Sequence, residues 1–134
     1  MLLVDSNIWC YYFDKGAKEH RKVVRYLEST IKKEVIAINT VVIMEVAHFL
    51  VKNLGSIGKE KMEMFLDLPL KVIDFDYMQA LASVKILAEN SRSGIGGRDA
   101  TLLAAMKEAN TDKIVTNDSA FRGIKGIKLI NPVL

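Results

Sequence analysis

The stretch MLLVDSNIWCYYFD, residues 1–14, decides how the rest of the chain is read. Leu2, Leu3 and Val4 make a short apolar run suited to a buried strand. Asp5 ends it, and the apolar positions Ile8, Trp9, Tyr12 and Phe13 then recur at helical spacing. A strand that runs straight into a helix is the opening of an α/β unit. Asp5 has an ordinary explanation as an N-cap, because its carboxylate accepts hydrogen bonds from the free amides of a first helical turn. It also stands at the carboxyl end of a strand, where parallel sheets bind their ligands.

Outward from this opening, short β-rich runs alternate with longer helix-period stretches, the pattern of helices packed on a parallel sheet. The expected strands are 2–4, 35–38, 71–75, 113–116 and 127–130. The expected helices are 6–13, 18–32, 40–53, 57–67, 76–91 and 98–110. Pro132 follows the last strand and suits an edge. The glycine-bearing breaks LGSIGKE and SGIGGRD mark helix ends where backbone turns with positive φ are expected. At 134 residues, half of them hydrophobic, the chain is long enough for one filled core, so residues 1–134 are read as a single domain. Nineteen Lys and Arg against sixteen Asp and Glu leave +3, a mild bias that permits an anionic partner. The one cysteine, Cys10, allows no internal disulfide. No apolar run approaches the roughly 18 residues of a membrane span, and no leader pattern opens the chain. A soluble, cytoplasmic protein is expected.

Three further acids share the peculiarity of Asp5. Glu45 lies in NTVVIMEVAHFLVKN, and on a helix it shares a stripe with Val41, Val42, His48 and Phe49. A carboxylate there needs compensation, from His48, from a lysine elsewhere, or from a metal or active site. Asp99, in GIGGRDATLLAAMKEA, shares its face with Leu102, Leu103 and Met106, and also suits a helix's positive first turn. Asp118, in KIVTNDSAF, ends another β-rich run within turn-forming residues. Two acids at strand ends and two on helix faces packed beside them form a convergent set of oxygen ligands suited to Mg²⁺ or Mn²⁺. Crowding them together would raise at least one of their pKa values.

These segments, VDSN, VVIMEVAHFL, GGRDATLLAA and VTNDSAF, resemble in order and spacing the PIN-domain ribonucleases, above all the small VapC toxins of VapBC toxin-antitoxin pairs. The resemblance covers nearly the whole chain. It implies a five-stranded parallel sheet of order 3-2-1-4-5, with Asp5 and Asp118 flanking the point where the order reverses. It implies Asp5, Glu45 and Asp99 as core Mg²⁺ (or Mn²⁺) ligands, completed by Asp118, with Ser6, Thr116 and Asn117 in support. The implied reaction is hydrolysis of an RNA phosphodiester, leaving a 5′-phosphate and a 3′-hydroxyl. An antitoxin protein and a homodimer are the implied partners. Arg92, Arg98, Arg122 and Lys125, beside the Asp99 and Asp118 segments, are the candidate phosphate contacts. For the dimer, Met62, Phe65 and Leu66 of KEKMEMFLDL either form an exposed apolar patch or fill this domain's own core.

Other families fit less well. A haloacid dehalogenase would place a second aspartate where Asn7 stands. A response-regulator receiver would need a strand before Asp67, whereas Met62, Phe65 and Leu66 have helical spacing. The EVAH segment has no second copy, as a di-iron bundle requires. The remaining alternatives are an RNA-processing PIN nuclease without an antitoxin and a PIN-like module that binds RNA or protein without cutting.

Overall fold

The computed structural model describes all of residues 1–134. Five parallel strands, β1 (Leu2–Val4), β2 (Ile36–Asn39), β3 (Lys71–Ile73), β4 (Lys113–Val115) and β5 (Lys128–Ile130), form one sheet in the order β3-β2-β1-β4-β5. Six helices flank it: α1 (Ser6–Phe13), α2 (His20–Thr30), α3 (Thr40–Leu54), α4 (Ser56–Leu66), α5 (Tyr77–Glu89) and α6 (Gly97–Ala109). A 3-10 turn over Ser119–Gly123 links β4 to β5. No helix is long and apolar enough to cross a membrane.

Strand β1 lies at the centre, with Leu3 in register with Ala37 on one side and Ile114 on the other. Leu2, Leu3 and Val4 are all buried, because a central strand covered on both faces has no outward side. Each expected element is present, with ends displaced by a few residues. Helix α2 is shorter than expected by two residues at each end, and β3 stops at Ile73: the Phe75 amide donates to Thr40 Oγ1 at 2.9 Å, and Asp76 caps α5 by accepting from the Gln79 amide at 2.9 Å.

Helix α3 buries Val42, Val46 and Leu50, four residues apart, as an amphipathic helix on a core does. Helix α6 differs, with Asp99 through Met106 buried in an unbroken run. It lies against β1, β2, β3 and α5, and its small Ala100, Ala104, Ala105 and Ala109 allow that close packing. Of the two glycine breaks, LGSIGKE behaves as expected at Gly55, where φ is +60°. Gly58 serves a different need: a Cβ there would sit 2.0 Å from the Leu50 carbonyl oxygen, so only glycine admits the close approach of α4 to α3. Gly96 and Gly97 do not have positive φ.

The KEKMEMFLDL segment divides between its two alternatives. Phe65 is in the core, its ring centroid 5.0 Å from that of Trp9, and Met62 packs against that core. Leu66 is 57% exposed, as is Met64 at 48%. The three residues therefore do not form one surface patch.

Candidate active site

The polar centre of the molecule is at the carboxyl ends of β1 and β4, where the order of the sheet reverses. Asp5 is completely buried there and is also the N-cap of α1. Its Oδ1 accepts from the Ser6 amide at 2.7 Å, and its Oδ2 from the Thr116 hydroxyl at 2.8 Å. Asn7 Nδ2 donates to Asp5 Oδ2 at 3.4 Å and to Thr116 Oγ1 at 3.2 Å. The cap and the ligand-facing reading of Asp5 thus describe the same carboxylate, whose two oxygens are directed by different neighbours.

Glu45, on α3, and Asp99, in the first turn of α6, come to the same place. What joins them to Asp5 is Arg98. Its Nη1 donates to Asp5 Oδ1 at 2.9 Å and to Glu45 Oε1 at 3.2 Å, and its Nη2 donates to Asp99 Oδ1 at 3.3 Å. Asp99 meanwhile accepts from the Gly96 amide through Oδ2 at 3.0 Å, stitching the start of α6. The compensation that Glu45 requires comes from this arginine. His48 is exposed and supplies none of it.

Arg98 is therefore not the free phosphate contact expected of it. Three carboxylates face one guanidinium, which leaves the cluster short of positive charge. Burial raises the Glu45 pKa, only partly offset by Arg98, and the neighbouring Asp5 adds to the rise. Burial, reinforced by Glu45 and Asp5, pushes the Cys10 thiol up to about 12, so Cys10 is held as an unreactive thiol.

The fourth acid stands apart. Asp118 Oδ1 accepts from the Ala120 amide at 2.9 Å and so caps the 3-10 turn. Its connection to the others is indirect: the Asp118 amide donates at 3.0 Å to Thr116 Oγ1, the oxygen that donates to Asp5. The turn chemistry of the Asn117-Asp118-Ser119 segment holds the carboxylate away from the guanidinium.

Of the supporting residues, Ser6 lies between Asp5, 3.4 Å from its Oδ1, and Glu45. Thr116 is fully buried at the centre. Asn117 faces outward, accepting at 2.9 Å from Asn131 Nδ2 and donating at 3.2 Å to the Tyr11 hydroxyl. Arg92 and Arg122 are exposed. Their segments lie side by side, with a Cβ on Gly94 falling 3.8 Å from that of Ala120. Lys125 is misplaced by the sequence reading. It lines a cavity of about 230 Å³ with Lys107, Thr111 and Ile127, below the starts of β4 and β5 and so at the far end of the sheet.

Two contributors had escaped sequence reasoning. Asn7 bridges Asp5 and Thr116. Asn39 ends β2, caps α3 by accepting from the Val42 amide at 2.9 Å, and donates at 3.3 Å to Thr101 Oγ1. Asn39 follows the rule that drew attention to Asp5, a polar residue where a strand becomes a helix, and that rule would have found it; Asn7, inside the first turn of α1, has no such signal.

The donor set is carboxylate and hydroxyl oxygen, the kind that hard divalent cations prefer, and it already holds one cation. In kind it fits Mg²⁺ or Mn²⁺. Its present spacing is that of a guanidinium, and no group of three or more Asp, Glu, His or Cys side chains is close enough to hold a metal ion as arranged.

No curated protein matches the chain. Among solved structures it resembles VapBC2 from Rickettsia felis, bound to a DNA fragment from their promoter, at 25% identity and TM-score 0.77 over 97% of each chain. It also resembles VapC20 from Mycobacterium tuberculosis, a toxin that cleaves the sarcin-ricin loop, at 17% identity and TM-score 0.76 over 95% of this chain and 98% of that one. A toxin-antitoxin complex from Klebsiella pneumoniae aligns over 98% of both chains at 24% identity and TM-score 0.73. The family model for the PIN domain matches residues 2–127, and together with the 3-2-1-4-5 sheet this places the chain in the PIN domain family.

Proposed function

We propose that the chain is a divalent-metal-dependent ribonuclease and the toxin of a toxin-antitoxin pair, acting in the cytoplasm. The observation that carries this reading is the meeting of Asp5, Glu45 and Asp99 on a single cation at the point where the sheet order reverses. Three carboxylates, from the junction of β1 and α1, from α3 and from α6, have no structural need to share one place. An isolated helix cap or ion pair would use one of them.

In this reading Asp5, Glu45 and Asp99 would hold Mg²⁺ or Mn²⁺, with Asp118 at the margin of the site. The metal, when bound, supplies a Lewis acid that offsets phosphoryl charge and favours ionisation of an attacking water. The protein's own part is positional. Thr116 and Asn7 fix the Asp5 carboxylate, and Asp99 is anchored on the Gly96 amide, so two acids are oriented before substrate arrives. Arg92 and Arg122, on adjoining exposed segments, are the cations available to the RNA backbone. The toxin role rests on the toxin-antitoxin assemblies among the structural neighbours, which also support an antitoxin partner; the homodimer rests on the family resemblance alone.

The test is cleavage of mixed RNAs by purified protein with Mg²⁺, with Mn²⁺ and in EDTA, repeated with Asp5→Asn. Metal-dependent cutting that the variant lacks is expected, with 5′-phosphate ends on the products. Equal cutting in every sample would overturn the mechanism. A second reading, a PIN module that binds without cutting, draws on the Arg98 ion pairs, since an inert charge network would have the same contacts. RNA retention with no cleavage under any metal condition would favour it.

A further inference from the structure

Arg98 is in an unfavourable place for a cation. It occupies the first turn of α6, where the helix dipole is positive and where acids are favoured. Its side chain nevertheless turns inward. The interaction with Asp5, Glu45 and Asp99 must outweigh both the dipole and the rotamer freedom that a long side chain loses on being held.

The contacts conflict with those of a metal. Nη1 stands between Asp5 Oδ1 and Glu45 Oε1 at 2.9 and 3.2 Å. A magnesium ion binds oxygen at about 2.1 Å, so ligands around it must draw closer together than a guanidinium allows. Asp5 Oδ1 and Glu45 Oε1 cannot close on one magnesium ion while Nη1 stands between them. Departure of the arginine requires no unfolding: its side chain is 35% exposed, and the first turn beside it is open, with nothing within 4 Å of a Cβ built on Gly96 or Gly97.

We propose that Arg98 is a built-in counter-cation that competes with the divalent metal for Asp5, Glu45 and Asp99, so that loading the site requires the guanidinium to swing out. This rests on the reading of those acids as metal ligands. Arg98 is a positioning residue in this scheme: it keeps the metal-free site folded and sets how much metal is needed to load it.

The test titrates metal-free protein with MnCl₂ and follows free Mn²⁺ by electron paramagnetic resonance, alongside thermal melts in EDTA and in Mn²⁺. Arg98→Gln should bind Mn²⁺ more tightly by about tenfold, equivalent to about 1.4 kcal/mol. It should melt lower than wild type in EDTA yet gain more from Mn²⁺. Arg98→Lys, which keeps charge without the planar fork, should fall between them. A merely structural arginine would lower the melting temperature without tightening metal binding. Equal or weaker Mn²⁺ affinity in Arg98→Gln, with wild type binding measurably, overturns the competition and leaves the metal site standing. Failure of every protein to bind Mn²⁺, with Asp5→Asn indistinguishable from wild type, overturns the metal reading and this inference with it. Should Arg98→Gln not fold in EDTA, wild-type protein carrying ¹⁵N-arginine decides the matter: saturating Mg²⁺ should shift the Arg98 guanidinium resonance, and an unchanged resonance overturns the competition.

Discussion

Two charged clusters lie at opposite ends of the same sheet, and their charge balance differs in sign. At the starts of β1 and β4, Glu34 bonds both the Met1 amino group, at 3.0 Å, and Lys113. One acid meets two cations at a partly exposed site. At the strand ends, three acids meet Arg98, and Asp5 among them is wholly buried. The pKa directions differ as well. Hydrogen bonding by Lys113 lowers Glu34 and raises Lys113 in return, whereas burial raises Glu45. An ion pair that serves only the fold is arranged so that its acid ionises more readily. Burial rather than charge balance sets the Glu45 direction, so what distinguishes the candidate site from the ion pair at the other end is the crowding of three carboxylates on one guanidinium.

The most damaging change should be Asp5→Ala. It strips Arg98 and Thr116 of a buried partner and should destabilise the protein by about 3 kcal/mol, seen in denaturant unfolding. RNA cleavage should fall by more than about a hundredfold, since an orienting partner alone is worth up to that much. Stability near wild type would show that the Asp5 contacts do not bear on the fold.

Thr116→Val comes next. The hydroxyl it removes donates to Asp5 and accepts from the Asp118 amide. Chemical unfolding should register a loss of about 1 to 2 kcal/mol, and cleavage should drop by about tenfold or more as Asp5 loses its orientation. Unaltered cleavage would mean that the hydroxyl does not orient Asp5.

Glu45→Gln should act in the opposite direction. A raised folded pKa means that the Glu45 contribution to stability is present below the ordinary glutamate pKa and lost as pH rises through the raised one. In EDTA at neutral pH the glutamine variant should therefore be more stable than wild type by about 0.5 kcal/mol, a small figure because the partly exposed pair is screened by solvent. At pH values below the glutamate range the two should melt together. A variant less stable at neutral pH would show that the bond to Arg98 outweighs burial.

The smallest effect belongs to the other cluster. Glu34 has a lowered pKa, so its contribution is present above the ordinary carboxylate value and lost as pH falls through the lowered one. Glu34→Gln should flatten the acid limb of the stability profile and leave RNA cleavage unchanged. A drop in cleavage would mean that the two ends of the sheet are coupled and that the contrast between them is false.

What the sequence by itself determined is whatever depends on near neighbours. Strand and helix order follow from hydrophobic periodicity, and the polar residues at strand-to-helix junctions follow from capping, which is settled within three or four residues. Asp5 and Asp99 were legible on those grounds, whereas Thr116 was singled out only by the family resemblance. Tertiary structure decided the rest, because it depends on side chains brought together from far along the chain. Arg98 reaches Asp5 across 93 residues and Glu45 across 53, and no local pattern distinguishes an arginine that turns inward from one that meets solvent. The same limit explains Lys125, near Asp118 in sequence yet at the far end of the sheet, because a chain that leaves the end of one parallel strand must return to the start of the next. Asp118 itself was recognisable by position. Only the folded turn, by holding its carboxylate on the Ala120 amide, decided that it stands outside the grip of Arg98.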